Sequence, residues 1–337
     1  MGNIDISKVP QRILYTGAAM PAIGMGTFGS DHADAQKVQE AVRGAIRAGY
    51  RHFDGAAGYG NEHQIGEVYA EAIHSGLVKR EDLFIVSKVW NNKWDDAESA
   101  CRQTLKDLQL DYLDLYYVHW PFPNYHAPGA GHDDRNENSV PFSVKRFMGI
   151  WRQMEHLVDI GLVRHIGMSN MSIPKLKAVL PLCRIKPACL ENEIHPCFQQ
   201  QDLFNFCQQN QIQLTGYCPL GSPQRPDRDR DAEDIADLQQ PVIREIAKAH
   251  GVHPALIALK WAVQRGHTPI PFSENEAEYT SNLRCVTEDP LSEEEMAKMK
   301  TMECNNRLIK GQVFLWPDAK DWTDIWDLDG TDRTWEK

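Results

Sequence analysis

Four side chains of the kinds that transfer protons lie near the predicted ends of three consecutive β-strands. Asp54 lies in the run RHFDGA, Lys88 in LFIVSKVW and His119 in LDLYYVHW. Tyr59 follows Asp54 in the loop GAAGYGNE. The carboxyl ends of parallel barrel strands meet on one rim, where a polar residue needs a functional reason. We therefore expect a carboxylate, a phenol, an ammonium and an imidazole to converge there.

This combination of side chains suits the protonation of an oxygen on which negative charge develops. A phenol has a pKa of about 10 in water, and a neighbouring ammonium lowers it. A carboxylate holds that ammonium in place, and a neutral imidazole donates a hydrogen bond to a carbonyl oxygen. Singly, each residue could be structural, with Asp54 as a helix cap or Tyr59 as a loop aromatic. Together they favour carbonyl reduction by hydride transfer.

Strand and helix patterns alternate between Pro21 and about Ser273, which predicts a (β/α)8 barrel. The predicted strands are residues 22–28, 51–56, 83–90, 113–120, 165–170, 188–195, 212–220 and 268–273. Predicted helices include residues 33–49, 95–110, 144–161 and 241–251. No GxGxxG follows a strand and opens a helix, so a Rossmann domain is disfavoured. We predict one domain over residues 1–337, with the barrel at about 21–300 and a tail at about 301–337.

Three segments are additional to the barrel. Residues 11–20 predict a hairpin before the first strand, and residues 121–144 form a long loop rich in Pro, Gly and Asp after the fourth. An aromatic-rich tail begins near Asn305. Loops that follow barrel strands lie at the catalytic face, so we expect the long loop to form a wall of the site. The tail is expected to cover the substrate or to decorate the surface.

Composition restricts the partners of the chain. The 337 residues carry a formal net charge of −11, which argues against nucleic acid or an anionic membrane as a partner. No apolar run approaches the about 20 residues of a membrane span, and no signal peptide is expected. The 8 cysteines are scattered, without metal-binding spacing, which predicts reduced thiols, no metal and a cytoplasmic location. A small molecule is the expected partner, and no pattern predicts the oligomeric state.

Several stretches together resemble the aldo-keto reductase family. They are GMGTF, YRHFDGAAGYGNE, FIVSKVW, LDLYYVHWP, RHIGMSN, GYCPLGSP and IPFS followed by Asn282. The resemblance extends from about Gln11 to Arg307. It implies a barrel that binds a nicotinamide cofactor in an extended form and interconverts an aldehyde or ketone, possibly a sugar, with the corresponding alcohol.

The resemblance also implies a role for individual residues. Tyr59 would be the general acid, Lys88 would lower its pKa, and Asp54 would pair with Lys88. His119 would orient the carbonyl. The implied cofactor-binding residues include Thr27, Phe28 and Asp54. Ser169 and Asn170 would hold the carboxamide, Tyr217 would stack on the nicotinamide ring, and Leu220 and Ser222 would cover the pyrophosphate. The implied substrate pocket contains Tyr59 and His119 with the aromatic residues Phe28, Trp90 and Trp120, which favours an apolar portion on the substrate.

Two positions depart from the family pattern. Glu191 stands where a Gln usually contacts the carboxamide, and a Glu donates there only when protonated. In the stretch PIPFSENEAEYTSN, Ser273 and Asn282 are kept, whereas Phe272 and Glu278 replace the Lys and Arg that hold the 2′-phosphate of NADP. A carboxylate facing a free 2′-hydroxyl is the usual device for selecting NAD. NAD(H) is therefore favoured, and NADP(H) is the alternative if Arg284 supplies a cation.

Two other functions stay open at this point. A non-catalytic nicotinamide-binding subunit that senses redox state would keep the same barrel and the same four residues. A metal-dependent barrel hydrolase would draw on His119, His195, His132, Asp133 and Asp134. Lys88 at the centre of the rim disfavours that hydrolase, because metal ligands gather closely around their ion. The sequence identifies neither the substrate nor the physiological direction.

Overall fold

Ten strands are present in the residues that the computed structural model describes, which are 4–30, 32–126 and 134–328. In chain order they are β1 (Gln11–Ile13), β2 (Ala19–Pro21), β3 (Met25–Gly26), β4 (His52–Asp54), β5 (Phe84–Val89), β6 (Leu113–Val118), β7 (Val163–Ser169), β8 (Cys189–Glu193), β9 (Gln213–Tyr217) and β10 (Thr268–Pro269). Strands β1 and β2 form an antiparallel hairpin, as predicted. Strands β3 to β10 form one sheet in which each strand pairs in parallel with the next.

The sheet closes into the predicted (β/α)8 barrel. The amide of Gly24 donates to the Pro269 carbonyl, and the amide of Gly26 donates to the Pro271 carbonyl, both at 3.0 Å. These bonds join the first barrel strand to the last. Both strands are shorter than the predicted 22–28 and 268–273, because Pro269 and Pro271 have no N–H to complete a regular ladder.

Helices surround the barrel. They are α1 (Ala35–Ala48), α2 (Glu62–His74), α3 (Ala97–Leu108), α4 (Val144–Asp159), α5 (Ile173–Val179), α6 (Gln201–Gln209), α7 (Pro241–His250), α8 (Pro254–Arg265), α9 (Glu276–Arg284) and α10 (Glu293–Lys300). The predicted helices at 33–49, 95–110, 144–161 and 241–251 correspond to α1, α3, α4 and α7. Helix α1 begins where the Asp34 carboxylate accepts from the Lys37 amide, and it ends at Gly49 with φ of 114°.

The core has separate parts. Most buried apolar residues form one cluster between the barrel and its helices. A smaller cluster inside the barrel contains Leu14, Met20, Phe84, Val86, Leu115, Tyr117, Ala188 and Cys189. Because side chains alternate along a strand, Lys88 faces inward like Phe84 and Val86. The sequence period therefore places a lysine directly above an apolar barrel interior.

The tail forms a third cluster against the loop after β6. This tail cluster consists of Trp120, Phe122, Val313, Phe314, Leu315, Ile325 and Trp326. A buried ion pair anchors it, in which Lys175 of α5 binds Asp327 and donates to the Ile325 carbonyl at 2.6 Å. Among the described residues, no helix is both long enough and apolar enough to span a membrane.

Candidate active site

Lys88 is the centre of the site. Its side chain is fully buried and donates a hydrogen bond to the Asp54 carboxylate. The same ammonium donates to the Gly55 carbonyl at 3.0 Å and lies 3.5 Å from the Tyr59 hydroxyl. Asp54 is the last residue of β4, and Tyr59 is the last residue of a short 3₁₀ turn that follows it. This loop brings the phenol next to Lys88 of β5. The structure thus brings together the predicted carboxylate, phenol and ammonium.

The charges around Lys88 determine which groups are ionised. Burial alone would lower the pKa of Lys88, but the carboxyls of Asp54 and Glu191 outweigh it and raise that pKa. Burial raises the pKa of Tyr59, and Lys88 opposes this rise as predicted. The carboxyls of Asp54 and Glu191 add to it, so the pKa of Tyr59 lies above the ordinary phenol value. The phenol is therefore protonated at neutral pH.

His119 is a neutral imidazole beside the phenol. Burial lowers the pKa of His119 well below its usual value, and Lys88 and His126 lower it further. Its ring lies edge-on to Tyr59, with 5.9 Å between ring centroids, and 4.9 Å from the ring of Trp90. Nδ1 is buried and has no hydrogen-bond partner in the described part of the chain. The fourth predicted residue therefore lies beside the phenol, as a neutral imidazole.

A ledge of polar groups crosses the ends of β7, β8 and β9. The Ser169 hydroxyl donates to the Glu191 carbonyl at 2.9 Å, and the Asn170 amide nitrogen donates to the His119 carbonyl at 2.9 Å. The Tyr217 hydroxyl donates to Asn170 Oδ1 at 2.6 Å. Asn170 has a φ of 59°, which an Asn adopts more readily than most residues. The ledge places amide and hydroxyl groups beside a half-buried aromatic ring.

Glu191 contacts Lys88 through its side chain and the ledge through its backbone carbonyl. Its Oε1 lies 3.3 Å from Lys88 Nζ, and the side chain is 3% exposed. Its Oε2 is buried with no partner among the described residues. Burial raises the pKa of Glu191 well above the ordinary carboxyl value, and Asp54 adds to the rise. The predicted carboxamide contact would thus come from a carboxyl that favours its protonated form.

The loop after β3 supports the site from the other side. The amide and hydroxyl of Thr27 both donate to the Asp54 carbonyl, at 2.9 and 3.0 Å. The neighbouring Phe28 is 43% exposed, and its ring centroid lies 5.0 Å from that of Tyr59. Thr27 therefore fixes the backbone of Asp54, while Phe28 leaves an aromatic face open at the mouth of the barrel.

Aromatic side chains from the tail reach the same mouth. The ring of Phe314 lies 6.1 Å from that of Trp90 and 4.5 Å from that of Trp120. Trp90 is half-buried beside His119, whereas Trp120 is buried within the tail cluster. Of the two predicted substrate-pocket tryptophans, Trp90 is thus the one that touches the imidazole. Phe314 joins this wall, and sequence patterns did not single it out.

The acidic stretch after β10 lies at the start of α9. The Ser273 hydroxyl donates to the exposed carboxylate of Glu278 at 2.7 Å. Phe272 packs against the main core, and Asn282 is buried in α9. Lys37 lies 3.8 Å from Glu274. At the two predicted 2′-phosphate positions, Phe272 therefore places an apolar ring and Glu278 a carboxylate.

The predicted pyrophosphate-covering loop follows β9. Leu220 packs against the main core, and Ser222 has a φ of 33°. Further along this loop, the Gln224 carbonyl accepts a hydrogen bond from the Ser30 hydroxyl at 3.0 Å. The loop therefore reaches across the barrel mouth to the loop after β3.

A second buried cluster underlies this loop, and sequence reasoning missed it. His195 Nδ1 lies 2.8 Å from Asp237, and its Nε2 lies 3.1 Å from Glu193. Both ring nitrogens thus bond to carboxylates, which leaves neither for a metal ion. No group of three or more potential metal ligands occurs in residues 4–30, 32–126 and 134–328. His132 and Asp133, named for a hydrolase, lie outside the described residues.

These residues fit a nicotinamide dinucleotide. The ledge of Ser169, Asn170 and Tyr217 offers amide and hydroxyl groups at the rim. Glu191 Oε2 is an orphaned buried polar atom beside it. An orphaned polar atom in a folded site needs a partner, and a carboxamide supplies both a donor and an acceptor. The neighbouring phenol and imidazole face the same rim, where a carbonyl oxygen could accept a proton from Tyr59.

Comparisons with known proteins agree with this geometry. A profile described as the Aldo/keto reductase family matches residues 22–303. An aldo/keto reductase of Synechocystis is 42% identical over 308 residues, covering 91% of this chain and 92% of that protein. Aldo-keto reductase family 1 member A1 of Bos taurus is 40% identical over 300 residues, covering 88% and 90%. Aldo-keto reductase family 4 member C11 of Arabidopsis thaliana is 40% identical over 304 residues, covering 90% and 91%. With both the profile and the relatives covering most of its length, the chain belongs to the aldo/keto reductase family, a family of NAD(P)H-dependent oxidoreductases that act on carbonyl groups.

Proposed function

We propose that this chain is an NAD(H)-preferring carbonyl reductase in which Tyr59 is the general acid. One observation carries the proposal: the buried Lys88 ammonium, paired with Asp54, lies 3.5 Å from the Tyr59 hydroxyl. When bound, the reduced nicotinamide supplies the hydride. Tyr59 then gives its proton to the carbonyl oxygen, and Lys88 stabilises the phenolate that remains. The raised pKa of Tyr59 keeps the proton available for reduction at neutral pH.

The surrounding residues orient the reactants. His119 is neutral because its low pKa excludes the imidazolium form. As a neutral imidazole it donates a hydrogen bond to the carbonyl oxygen. Ser169 and Asn170 hold the carboxamide, and the Tyr217 ring stacks on the nicotinamide. Phe28, Trp90 and Phe314 form an aromatic wall that favours an apolar portion on the aldehyde or ketone. All 8 cysteines are free, which supports a reducing, cytoplasmic location.

Replacement of the phenol tests the catalytic assignment. We expect Tyr59→Phe to lower kcat for aldehyde reduction at least about a hundredfold, because the proton donor is lost. The Kd for NADH should stay within about threefold of the wild-type value, since the ring is retained. Stopped-flow turnover and NADH fluorescence titration measure the two quantities. Tyr15→Phe, which alters an exposed hairpin phenol, is the matched control.

The outcomes separate the candidate functions. Wild-type turnover in Tyr59→Phe would show that another group donates the proton. A wild-type protein that binds NADH but turns over no member of a carbonyl and polyol panel would support the non-catalytic, redox-sensing subunit instead.

The acidic stretch supports the cofactor preference. The Glu278 carboxylate already accepts the hydrogen bond that the Ser273 hydroxyl donates. A 2′-phosphate at this position would therefore meet a carboxylate. Phe272 packs against the core and offers no positive charge. A free 2′-hydroxyl can instead donate to the Glu278 carboxylate.

Exchange of both residues tests this preference. We expect wild-type protein to bind NADH more tightly than NADPH in fluorescence titrations. The double variant Phe272→Lys/Glu278→Arg should gain about tenfold to a hundredfold in NADPH affinity, since it adds charged hydrogen bonds to the phosphate. The double variant adds three positive charge units, and Glu274→Arg, on an exposed neighbour, adds two of them as a control for charge without the phosphate contacts. Tighter wild-type binding of NADPH would refute the preference.

A further inference from the structure

Lys88 has two carboxyl neighbours, although one would neutralise it. Its ammonium binds Asp54 of β4 and lies 3.3 Å from Glu191 of β8. The side chain of Lys88 is 0% exposed, and those of Asp54 and Glu191 are 2% and 3% exposed. The three groups therefore form a closed cluster, called here the carboxyl–lysine cluster. Water does not screen its charges.

The charges within the carboxyl–lysine cluster favour a bound proton. The titratable groups that face Glu191 are Asp54 of β4, Tyr59 of the following loop, Lys88 of β5, Tyr117 of β6, Cys189 of β8 and Tyr217 of β9. Lys88 is the one cation among these described groups. With both carboxyls ionised, the buried cluster would carry a net negative charge, which a low-dielectric interior disfavours strongly. One proton on Glu191 makes it neutral.

Hydrogen bonding leads to the same conclusion. Asp54 Oδ2 and Glu191 Oε2 are both buried, and neither has a donor within the described ranges. A hydrogen bond between the two carboxyls is among the causes that raise the pKa of Glu191. The Ser169 hydroxyl and the Asn170 amide donate to the backbone carbonyl of Glu191 rather than to its Oε2. A proton on Glu191 supplies the donor that both oxygens lack.

Glu191 is also the member of the cluster nearest to the ledge. In the sheet, Glu191 pairs with Ser169 of β7 on one side and with Thr215 of β9 on the other. Tyr217 lies two residues after Thr215 on β9. If the ledge holds the nicotinamide, the ring lies in the electrostatic field of this carboxyl. The oxidised ring is a cation and the reduced ring is neutral. A cation stabilises the ionised form of a nearby carboxyl, and a neutral ring does not.

We propose that Glu191 is a proton-exchanging residue that is protonated in the free protein and with the reduced cofactor, and that releases its proton to solvent when the oxidised cofactor binds. The proton leaves the Glu191 carboxyl as the cationic ring arrives, so the charge of the site is conserved. This inference rests on the proposed function, because it requires a nicotinamide on the ledge. It makes the choice between oxidised and reduced cofactor depend on pH.

Calorimetric titration in buffers of different ionisation enthalpy tests the inference. We expect release of one proton for each NAD+ bound and none for NADH. The Kd for NAD+ should tighten by up to about tenfold per pH unit until Glu191 of the free protein ionises. In Glu191→Gln, which cannot ionise, release should vanish and the Kd should become independent of pH. Glu62→Gln, at a buried glutamate held by Ser87 and Thr104, should behave like wild type.

Infrared spectra of the free protein test the protonation without any cofactor. A carboxylic acid C=O band should be present in wild type and in Glu62→Gln, and the Glu191→Gln difference spectrum should show its loss. Absence of that band would overturn the inference even if a variant failed to fold. Release that persists in Glu191→Gln but disappears in Tyr59→Phe would assign the proton to the phenol, and would also overturn it. If neither NADH nor NAD+ binds wild type, the proposed function fails, while the infrared result still reports on Glu191.

Discussion

Lys88 shows how a single buried charge is maintained in this protein. Burial opposes the charged ammonium, and the carboxyls of Asp54 and Glu191 restore it. The attraction within such a pair roughly offsets the cost of removing the ions from water. The pair therefore positions a charge beside Tyr59 more than it stabilises the fold. Removing one partner, however, leaves the other buried and unpaired.

This imbalance predicts the stability of variants at the lysine. Lys88→Met should lower the free energy of unfolding by about 3–5 kcal/mol, because the Asp54 carboxylate loses its cation. The double variant Asp54→Asn/Lys88→Met should recover a large part of that loss. Urea denaturation of the four members of the cycle measures the coupling. A double variant no more stable than Lys88→Met would show that the loss comes from packing rather than from charge.

Residue types predicted the membership of the site better than its electrostatics. The four predicted side chains meet because Asp54, Lys88 and His119 lie at the ends of parallel strands and the short loop after β4 carries Tyr59. Lys88 lowers the pKa of Tyr59 as predicted, but burial outweighs it and the pKa is raised overall. The extent of burial is a tertiary property that no local pattern encodes. The cluster of Glu193, His195 and Asp237 was missed for a related reason. Asp237 is far from the other two in sequence, and nothing local links them.

At the scale of elements, strongly periodic segments were predicted well and short strands less so. Helix α1 spans Ala35–Ala48 inside the predicted 33–49, because its apolar face and its Gly49 terminus are both visible in the sequence. Strand β3 contains two residues inside the predicted 22–28. The rest of that apolar run lies outside any strand, because Pro269 and Pro271 opposite it cannot pair regularly. Hydrogen-bonding partners, which determine strand length, come from distant parts of the chain.

Two glycines inside helices should respond to alanine in opposite ways. A Cβ on Gly44 of α1 would lie 1.9 Å from the Tyr279 hydroxyl oxygen of α9, so we expect Gly44→Ala to cost about 1–3 kcal/mol. A Cβ on Gly149 of α4 would have no atom within 4 Å. Gly149→Ala should stabilise by about 0.5–1 kcal/mol, because alanine loses less backbone entropy on folding. Thermal or urea denaturation measures both, and equal shifts would contradict this account of α1 against α9.

At the scale of the whole molecule, one buried imidazole joins three parts of the chain. His195 lies between Glu193 of β8 and Asp237 before α7. The Glu193 carboxylate also accepts from the tail amides of Leu308 and Ile309, at 2.6 and 2.8 Å. Burial would lower the pKa of His195, but its two carboxylates raise it to about 9. The barrel, the loop before α7 and the tail are thus held together by one imidazolium.

The raised pKa predicts a pH-dependent stability. The folded state binds this proton more tightly than the unfolded state, whose histidine pKa is about 6.5. The stabilisation is complete below pH 6.5 and is lost as pH rises through about 9. The free energy of unfolding should therefore fall by about 3 kcal/mol over this interval. His195→Gln should lack this decline in urea titrations, whereas His63→Gln, on the exposed surface of α2, should keep it. The same decline in both variants would exclude His195 as its source.

The tail cluster has a consequence for how the protein is made. Its tail members, including Phe314, Ile325 and Trp326, share no residue with the main core or with the cluster inside the barrel. The ribosome adds them after every barrel strand has been synthesised. The barrel can therefore complete both of its own clusters before the tail is available. A nascent chain would already have its lysine, phenol and imidazole in place while Phe314, the tail's part of the proposed aromatic wall, is still missing.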